Sequence, residues 1–241
     1  MAGILTATVG TFLKLGVTAS TNPVVSIKTS GTNNLSQTIS ANTGDVLLVM
    51  IAWDPSGASL PTITSVADNG GNTYTAANTL YTAPATTSAG TGVITQLFTT
   101  TVTNGQSLTI TPTFSAAITA KAMSVLEVSK LTTTQTNTRT VLRGTTTGPT
   151  ITTPSANAGG LVLVFTGWEQ TNNNAVTGDT DTINGTWSTV VKGGTTGGST
   201  GTNIMLAYQY KIVTATGTQA NTMTAVASNW SSQAFAFTKA A

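Results

Sequence analysis

The chain has 241 residues, of which only 7% are charged and 39% are hydrophobic, with nine basic residues against seven acidic ones. The basic residues are scattered, so they form no patch that would neutralise a run of phosphates, and no nucleic acid partner is expected. Histidine and cysteine are absent, which excludes serine and cysteine triads, disulfides and the common zinc sites.

Residues 1–22 precede the repeated part of the chain and are predicted to form an N-terminal arm. Leu5, Phe12 and Leu13 are its candidate interface residues, because an arm with apolar side chains needs a surface on this subunit or on a neighbour. Every apolar run in the chain is shorter than the about 20 residues of a membrane-spanning helix, so no membrane contact is predicted.

One stretch of the sequence occurs twice, as residues 40–54 (SANTGDVLLVMIAWD) and residues 155–169 (SANAGGLVLVFTGWE). Each copy is a polar turn followed by a continuous apolar run that ends in Trp and an acid. With Gly and Pro on either side, such a run predicts a strand buried on both faces at the centre of a sheet, although a buried helix gives a similar run. Trp53 and Trp168 are therefore expected in the core.

The first repeat spans about residues 24–130, the linker residues 131–150, and the second repeat about residues 151–240. Within the first repeat, the Asp-Asn-Gly-Gly-Asn run at residues 68–72 is the strongest hairpin signal, because these residues tolerate positive φ. The further predicted strands lie at residues 63–66, 93–102, 108–111 and 123–128, and, in the second repeat, at residues 161–168, 203–213, 222–227 and 233–237.

The surface must be built from Thr, Ser, Asn and Gly, because Lys, Glu, Gln and Arg are scarce. Thr is β-branched and suits a pleated surface, whereas the good surface helix formers are missing. The fold class is therefore all-β. We favour one large sandwich of two related halves over residues 23–241, rather than two small sandwiches in tandem, because central strands that are apolar throughout need cover on both faces.

The acidic residues form no recognisable catalytic pair by spacing. Asp45 and Asp68 are expected to cap turns, and Asp54 and Glu169 to end buried strands. Glu127 lies within an apolar strand and is expected to point outward by alternation, the alternative being a buried acid in a cleft. Two further acids, at positions 179 and 181, are too few for calcium. No catalytic residue, metal ligand or cofactor is predicted.

Aromatic residues near turns are the other candidates for binding. Tyr74, Trp187 and Trp230 lie close to predicted turns, and exposed rings at such places would form a platform on which sugar rings stack. They are the candidate glycan contacts.

The order GDVLLVMIAW, SVADNGGNTYT, LTITPTF, VLEVSKL and AGGLVLVFTGW resembles a family of jelly-roll β-sandwich proteins, over about residues 24–237. Such sequences are frequent among bacteriophage virion structural proteins, including head decoration and minor tail proteins, and in secreted bacterial proteins. The resemblance implies a jelly-roll-like antiparallel β-sandwich, here built from two internal repeats with an N-terminal arm. The pattern is a fold signature without catalytic residues.

The expected function is that of a non-enzymatic virion protein at the capsid surface, a decoration or minor capsid protein that cements major capsid subunits. The expected partners are the major capsid protein or other virion subunits, in a homo-oligomer or a symmetric multi-copy assembly. One alternative is a tail or fibre module that binds host surface glycans. Another is an enzyme acting on polysaccharide, which would need two carboxylates facing each other in a groove.

Overall fold

The structure is a computed structural model that describes residues 17–55, 60–77, 79–84, 91–135 and 139–241. The candidate interface residues Leu5, Phe12 and Leu13 lie outside the described residues. The strands are, in chain order, β1 (Thr18–Thr21), β2 (Val25–Lys28), β3 (Gln37–Ala41), β4 (Val46–Trp53), β5 (Ile63–Ala67), β6 (Thr75–Ala76), β7 (Tyr81–Ala83), β8 (Val93–Thr101), β9 (Gln106–Phe114), β10 (Ala120–Ser129), β11 (Leu131–Gln135), β12 (Thr140–Gly144), β13 (Thr150–Thr152), β14 (Leu161–Trp168), β15 (Val191–Gly194), β16 (Met205–Ile212), β17 (Ala220–Thr222) and β18 (Trp230–Lys239), and a short 3₁₀ helix spans Thr200–Thr202.

These strands form two large and two small antiparallel sheets. The first large sheet has the order β1-β10-β4-β8-β6, with β2 also pairing with β10 and β7 with β8. The second large sheet has the order β11-β18-β14-β16-β15, with β12 also pairing with β18. The first small sheet is β3-β9-β5, and the second small sheet is β13-β17. The all-β prediction is confirmed, whereas the jelly-roll topology and the division into an arm and two repeats stay predictions.

The two halves of the chain share one order of pairing. Strand β4 lies between β10 and β8, just as β14 lies between β18 and β16. In the small sheets, β3 pairs with β9 and β13 pairs with β17. In each half, the first strand of the pair precedes the central strand, and the second precedes the last strand of that half. The halves differ at the third strand, because the second half has in place of β5 only an isolated bridge between Thr177 and Thr224.

Three hydrophobic cores separate the sheets and define four layers. Alternate residues of β4 point in opposite directions, as in any strand. Leu48 and Met50 face Leu163 and Phe165 of β14 in the central core, between the two large sheets. The residues of the other face of β4 pack against the first small sheet in the first core, and the other face of β14 packs against the second small sheet in the second core. The small sheets are therefore the outer layers.

Double-sided burial of β4 and β14 explains why their sequences are apolar without interruption. Every residue of both strands is buried, which confirms the prediction made from the repeated stretch. Gly167 of β14 marks a close approach of the large sheets, because a Cβ atom added there would lie 2.8 Å from Thr95 Cγ2 and 3.0 Å from Ala52 Cβ. A side chain at this position would push the layers apart.

Trp53 and Trp168 are both fully buried, as predicted, but only one indole is satisfied. Trp53 Nε1 donates a hydrogen bond to the carbonyl oxygen of Pro61 at 3.1 Å. Trp168 Nε1 has no hydrogen-bond partner among the described residues. The two equivalent strand ends thus carry the same ring with different polar surroundings.

This contrast predicts that Trp53→Phe lowers the free energy of unfolding more than Trp168→Phe, by about 1 kcal/mol. Both substitutions remove the same ring volume, but only the first leaves a buried carbonyl oxygen without its donor. Urea unfolding of the two variants and the parent protein measures the difference. An equal or larger loss for Trp168→Phe would contradict this account of the two indoles.

Candidate functional site

Tyr74 and Trp187, two of the candidate glycan contacts, anchor turns at corresponding places in the two halves. Tyr74 donates a hydrogen bond to Asp68 Oδ2 at 2.8 Å, and Trp187 Nε1 donates one to Asp181 Oδ2 at 3.0 Å. Lys211 Nζ lies 4.8 Å from the centre of the Trp187 ring. The Trp187 side chain is only 5% exposed and Tyr74 is half-buried, so both aromatic residues close turns.

Trp230, the third candidate glycan contact, is also a packing residue. Only 6% of its surface is exposed. Its ring packs against Gly144 of β12, where an added Cβ atom would lie 2.6 Å from Trp230 Cζ2. Trp187 and Trp230 thus expose little of their surface, and the glycan platform stays a prediction.

Acidic side chains meet at both ends of β4. Asp45 immediately precedes the strand and lies beside Glu127 of β10, and we call these two residues the groove pair. Asp54 immediately follows the strand and interacts with Glu169, which follows β14. These contacts join acids that are far apart in the sequence, which is why spacing alone showed no pair.

The groove pair lies in an open groove of about 400 Å³ at the edge of the first large sheet. The carboxyl groups of Asp45 and Glu127 are hydrogen-bonded to each other, and Asp45 Oδ2 accepts hydrogen bonds from the backbone N–H and the side-chain amide of Asn42, both at 3.2 Å. Burial, followed by the hydrogen bond and the charge of Asp45, raises the pKa of Glu127 to about 7. The groove is lined by Thr18, Ala19, Ser20, Asn42, Asp45, Glu127 and Ser129.

Glu127 does not point outward, as alternation had suggested. Its position on β10 places it on the same face as Met123 and Val125, which belong to the first core. Both faces of β10 are covered. Alternation could therefore identify the face on which Glu127 lies, but not whether that face is exposed to solvent. Glu127 lies at the rim of the first core, where the groove reaches it.

A hydrogen-bonded pair of carboxyl groups does not suit glycoside hydrolysis. Glycosidases hold their two carboxyl groups about 5 to 9.5 Å apart, with the sugar and in some cases a water between them. The side-chain hydrogen bond between Asp45 and Glu127 leaves no such space. Glu127 can instead hold a proton and donate it to Asp45 in a hydrogen bond, since two adjacent carboxylates do not both ionise readily.

Asp54 and Glu169 lie at the boundary between the two halves, with only 6% and 7% of their surfaces exposed. Burial, and then the charge of Glu169, raises the pKa of Asp54 to about 7, while the charge of Lys28 acts in the opposite direction. Asn229 donates to Glu169 Oε2 through its side chain. We call Lys28, Asp54, Glu169, Asn203 and Asn229 the seam cluster.

The remaining acids form salt bridges or hydrogen bonds with groups in the second half. Asp181 forms a salt bridge with Lys211 at 3.0 Å. Asp179 accepts hydrogen bonds from the backbone N–H groups of Asp181 and Thr222. Within the part of the chain that the structure describes, no three acidic residues are grouped so that they could hold a metal ion.

Comparison with protein-family models, with curated proteins and with solved structures gives no match to this chain. The resemblance to phage virion proteins therefore stays a prediction. Over the described ranges, no helix has the length and hydrophobicity needed to cross a bilayer.

The groove pair predicts a pH dependence of stability. Because the pKa of Glu127 is raised from 4.5 to about 7, its contribution to stability is complete below about pH 4.5 and is lost as the pH rises to 7. The variant Glu127→Gln cannot ionise, so its free energy of unfolding should fall less than that of the parent protein across this window. Denaturant unfolding at each pH measures the difference.

Asp68→Asn is the matched control, because hydrogen bonds from Asn72 and Tyr74 hold the pKa of Asp68 below its usual value despite burial. Its stabilising contribution is present above about pH 4 and is lost only under more acidic conditions. This variant should lose stability by a similar amount at pH 5 and at pH 7. If Glu127→Gln kept the full pH dependence of the parent protein, Glu127 would not be the group that titrates in this window.

Proposed function

We propose that the chain is a non-enzymatic structural protein of a bacteriophage particle, located at the capsid surface, where it cements neighbouring major capsid subunits. The observation that carries the proposal is the pair of outer faces. Strands β3, β5 and β9 contain no charged residue, and neither do β13 and β17. The protein is thus a four-layered slab with an uncharged sheet at each end.

The outer face of the first small sheet is covered with hydroxyl groups. Thr38 and Thr109 lie opposite each other on β3 and β9, with their hydroxyl oxygens 3.0 Å apart. The second small sheet repeats this arrangement with Thr150 and Thr222, at 3.1 Å. The other Thr and Ser residues of the first small sheet whose side chains are exposed or half-buried are Ser40, Thr64, Ser65, Ser107, Thr111 and Thr113.

Such faces suit permanent contact with other protein subunits. An uncharged face loses no charge hydration when it is covered, and a Thr hydroxyl can both donate and accept a hydrogen bond. Because the two faces lie on opposite sides of the slab, one copy can touch two neighbours. Weak contacts of this kind add up when many copies bind one shell.

The predicted arm fits the same role. Leu5, Phe12 and Leu13 would dock on a neighbouring subunit and add an apolar contact to the polar ones made by the slab. In this proposal the partners are major capsid subunits and further copies of the chain, and the proposed activity needs neither a cofactor nor a bound metal.

The proposal predicts that a charge placed on either outer face weakens attachment to the particle. Thr38→Lys and Thr150→Lys change exposed side chains on β3 and β13, so the fold should persist while an unpaired charge opposes burial. We expect binding to particles to weaken at least about tenfold, which corresponds to about 1.4 kcal/mol. Sedimentation of each variant with particles that lack the protein measures this affinity.

Thr182→Lys is the control, because Thr182 is an exposed loop residue outside both sheets, and it should bind as the parent protein does. Heating of the reconstituted particles then tests the cementing role directly. Particles without the protein that resist heat and internal pressure as well as complete ones would overturn the proposal.

The glycan-binding alternative is favoured by one feature, a groove of about 520 Å³ in the second half. It lies beside the bridge between Thr177 and Thr224, where the first half has β5. Trp187 lines it together with Val176, Val190 and several hydroxyl groups. If the chain binds host glycans, Trp187→Ala should abolish binding on a glycan array, while Tyr74→Ala, the matching change in the half that has β5, should not.

A further inference from the structure

The seam cluster joins the two halves of the chain through a lysine. Lys28 is the last residue of β2, in the first half. Its Nζ atom donates to Asn203 Oδ1 at 3.0 Å, to Thr202 Oγ1 at 3.1 Å and to the carbonyl oxygen of Gly197. All three acceptors belong to the loop of residues 195–204 in the second half, so one side chain fastens this loop to the first large sheet.

The loop is shaped to receive the lysine. Gly197 and Gly198 have φ angles of +83° and +70°, values that residues with a Cβ atom rarely adopt. A Cβ atom at Gly198 would also lie 3.0 Å from Lys28 Nζ. The side chain of Asn203, fully buried, donates to the carbonyl oxygens of Gly197 and Ser199. The glycine-rich stretch is therefore a folded turn in which one backbone carbonyl, one side-chain amide and one hydroxyl oxygen accept from the Lys28 ammonium group.

The charges at the seam do not balance. Lys28 carries one positive charge, whereas Asp54 and Glu169 carry two negative charges when both are ionised. The other nearby lysines face other partners: Lys121 Nζ donates to the carbonyl oxygens of Gly31 and Ile118, and Lys192 Nζ to those of Asn172 and Asn174. A buried site with an unpaired charge is costly.

One atom of the seam cluster also lacks a partner. Asp54 Oδ1 is buried and accepts no hydrogen bond from the described residues. An ionised carboxylate would require donors at both oxygens, whereas a protonated carboxyl group can itself act as a donor. Burial, the imbalance of charge and the unpartnered oxygen all favour a protonated Asp54 carboxyl group.

We propose that the seam cluster is a proton-binding site, in which Asp54 holds a proton beside Glu169, so that the one negative charge left on the two acids balances the positive charge of Lys28. With the proton bound, the site is neutral and Lys28 remains on the loop of residues 195–204. Without it, two carboxylates attract the Lys28 ammonium group, and its hydrogen bonds to the loop weaken. The attachment of the loop, and with it the contact between the two halves, is thereby linked to pH.

The direction of this linkage follows from the raised pKa of Asp54, which is about 7 instead of 3.8 because of burial and the charge of Glu169. When the loop opens and water reaches Asp54, its pKa returns toward 3.8. The proton therefore favours the closed loop most strongly below about pH 4, and this contribution is lost as the pH rises to 7. Above pH 7 the attachment becomes independent of pH.

Hydrogen exchange of the loop amides tests the proposal in the complete chain. The backbone N–H of Thr195 donates to the carbonyl oxygen of Ile204, and that of Asn203 to the carbonyl oxygen of Thr200. After correction for intrinsic rates, their protection should fall by up to about tenfold per pH unit between pH 4 and 7 and then level off. In Asp54→Asn the same protection should not change with pH.

Glu127→Gln is the control, because it removes another carboxyl group with a raised pKa and leaves the seam cluster intact, so the loop should respond to pH as in the parent protein. Carbon-13 titration of the Asp54 carboxyl group gives a second measurement that requires no variant, with a midpoint expected near pH 7. In Lys28→Met this midpoint should rise, because the opposing positive charge is gone. An Asp54 midpoint near pH 4, or unchanged pH dependence in Asp54→Asn, would overturn the proposal.

Discussion

The packing of the two large sheets against each other is the constraint on which the rest of the structure depends. Strands β4 and β14 are covered on both faces, so both are built almost entirely from apolar side chains. The central core contains stacked rings, with Phe235 6.1 Å from both Phe165 and Phe237. Residues of both halves form this core. Each half therefore has its own small sheet, but neither large sheet could be exposed to water without uncovering apolar side chains.

The positions of the acids follow from that constraint. A chain with seven carboxylates must place them where water or a partner can reach. Apolar β4 admits none within its length, so Asp45 and Asp54 lie at its two ends. Each then meets a second acid, Glu127 or Glu169, from a neighbouring or facing strand. The raised pKa values of Asp54 and Glu127 are thus a consequence of double-sided burial in a protein with few charges.

Much of the fold could be predicted from local sequence, and much of the candidate site could not. The repeated stretch identified both central strands and the burial of Trp53 and Trp168, since an uninterrupted apolar run leaves few alternatives. The meeting of Asp54, Glu169 and Lys28 depends on how two sheets face each other, which no short-range pattern records. A local pattern did exist for the two turn contacts. Asp68 precedes Tyr74 by six residues, and Asp181 precedes Trp187 by six, and each acid accepts a hydrogen bond from that ring.

The difference between the halves shows where an added role would arise. Strand β9 is paired on both sides, by β3 and β5, whereas β17 is paired along one side only, by β13. On its other side the Thr222 N–H is capped by the Asp179 carboxylate, and the next outward-facing residue, Thr224, is bridged to Thr177. The Asp179 side chain thus accepts a backbone hydrogen bond from β17, as strand β5 does from β9. This contact protects the edge of β17 from pairing with another chain. The space left by the missing strand is the groove beside Trp187. The second half therefore contains both this groove and the loop that Lys28 contacts. The first half has a small sheet of three strands, and it supplies Lys28 and most of the exposed hydroxyl groups.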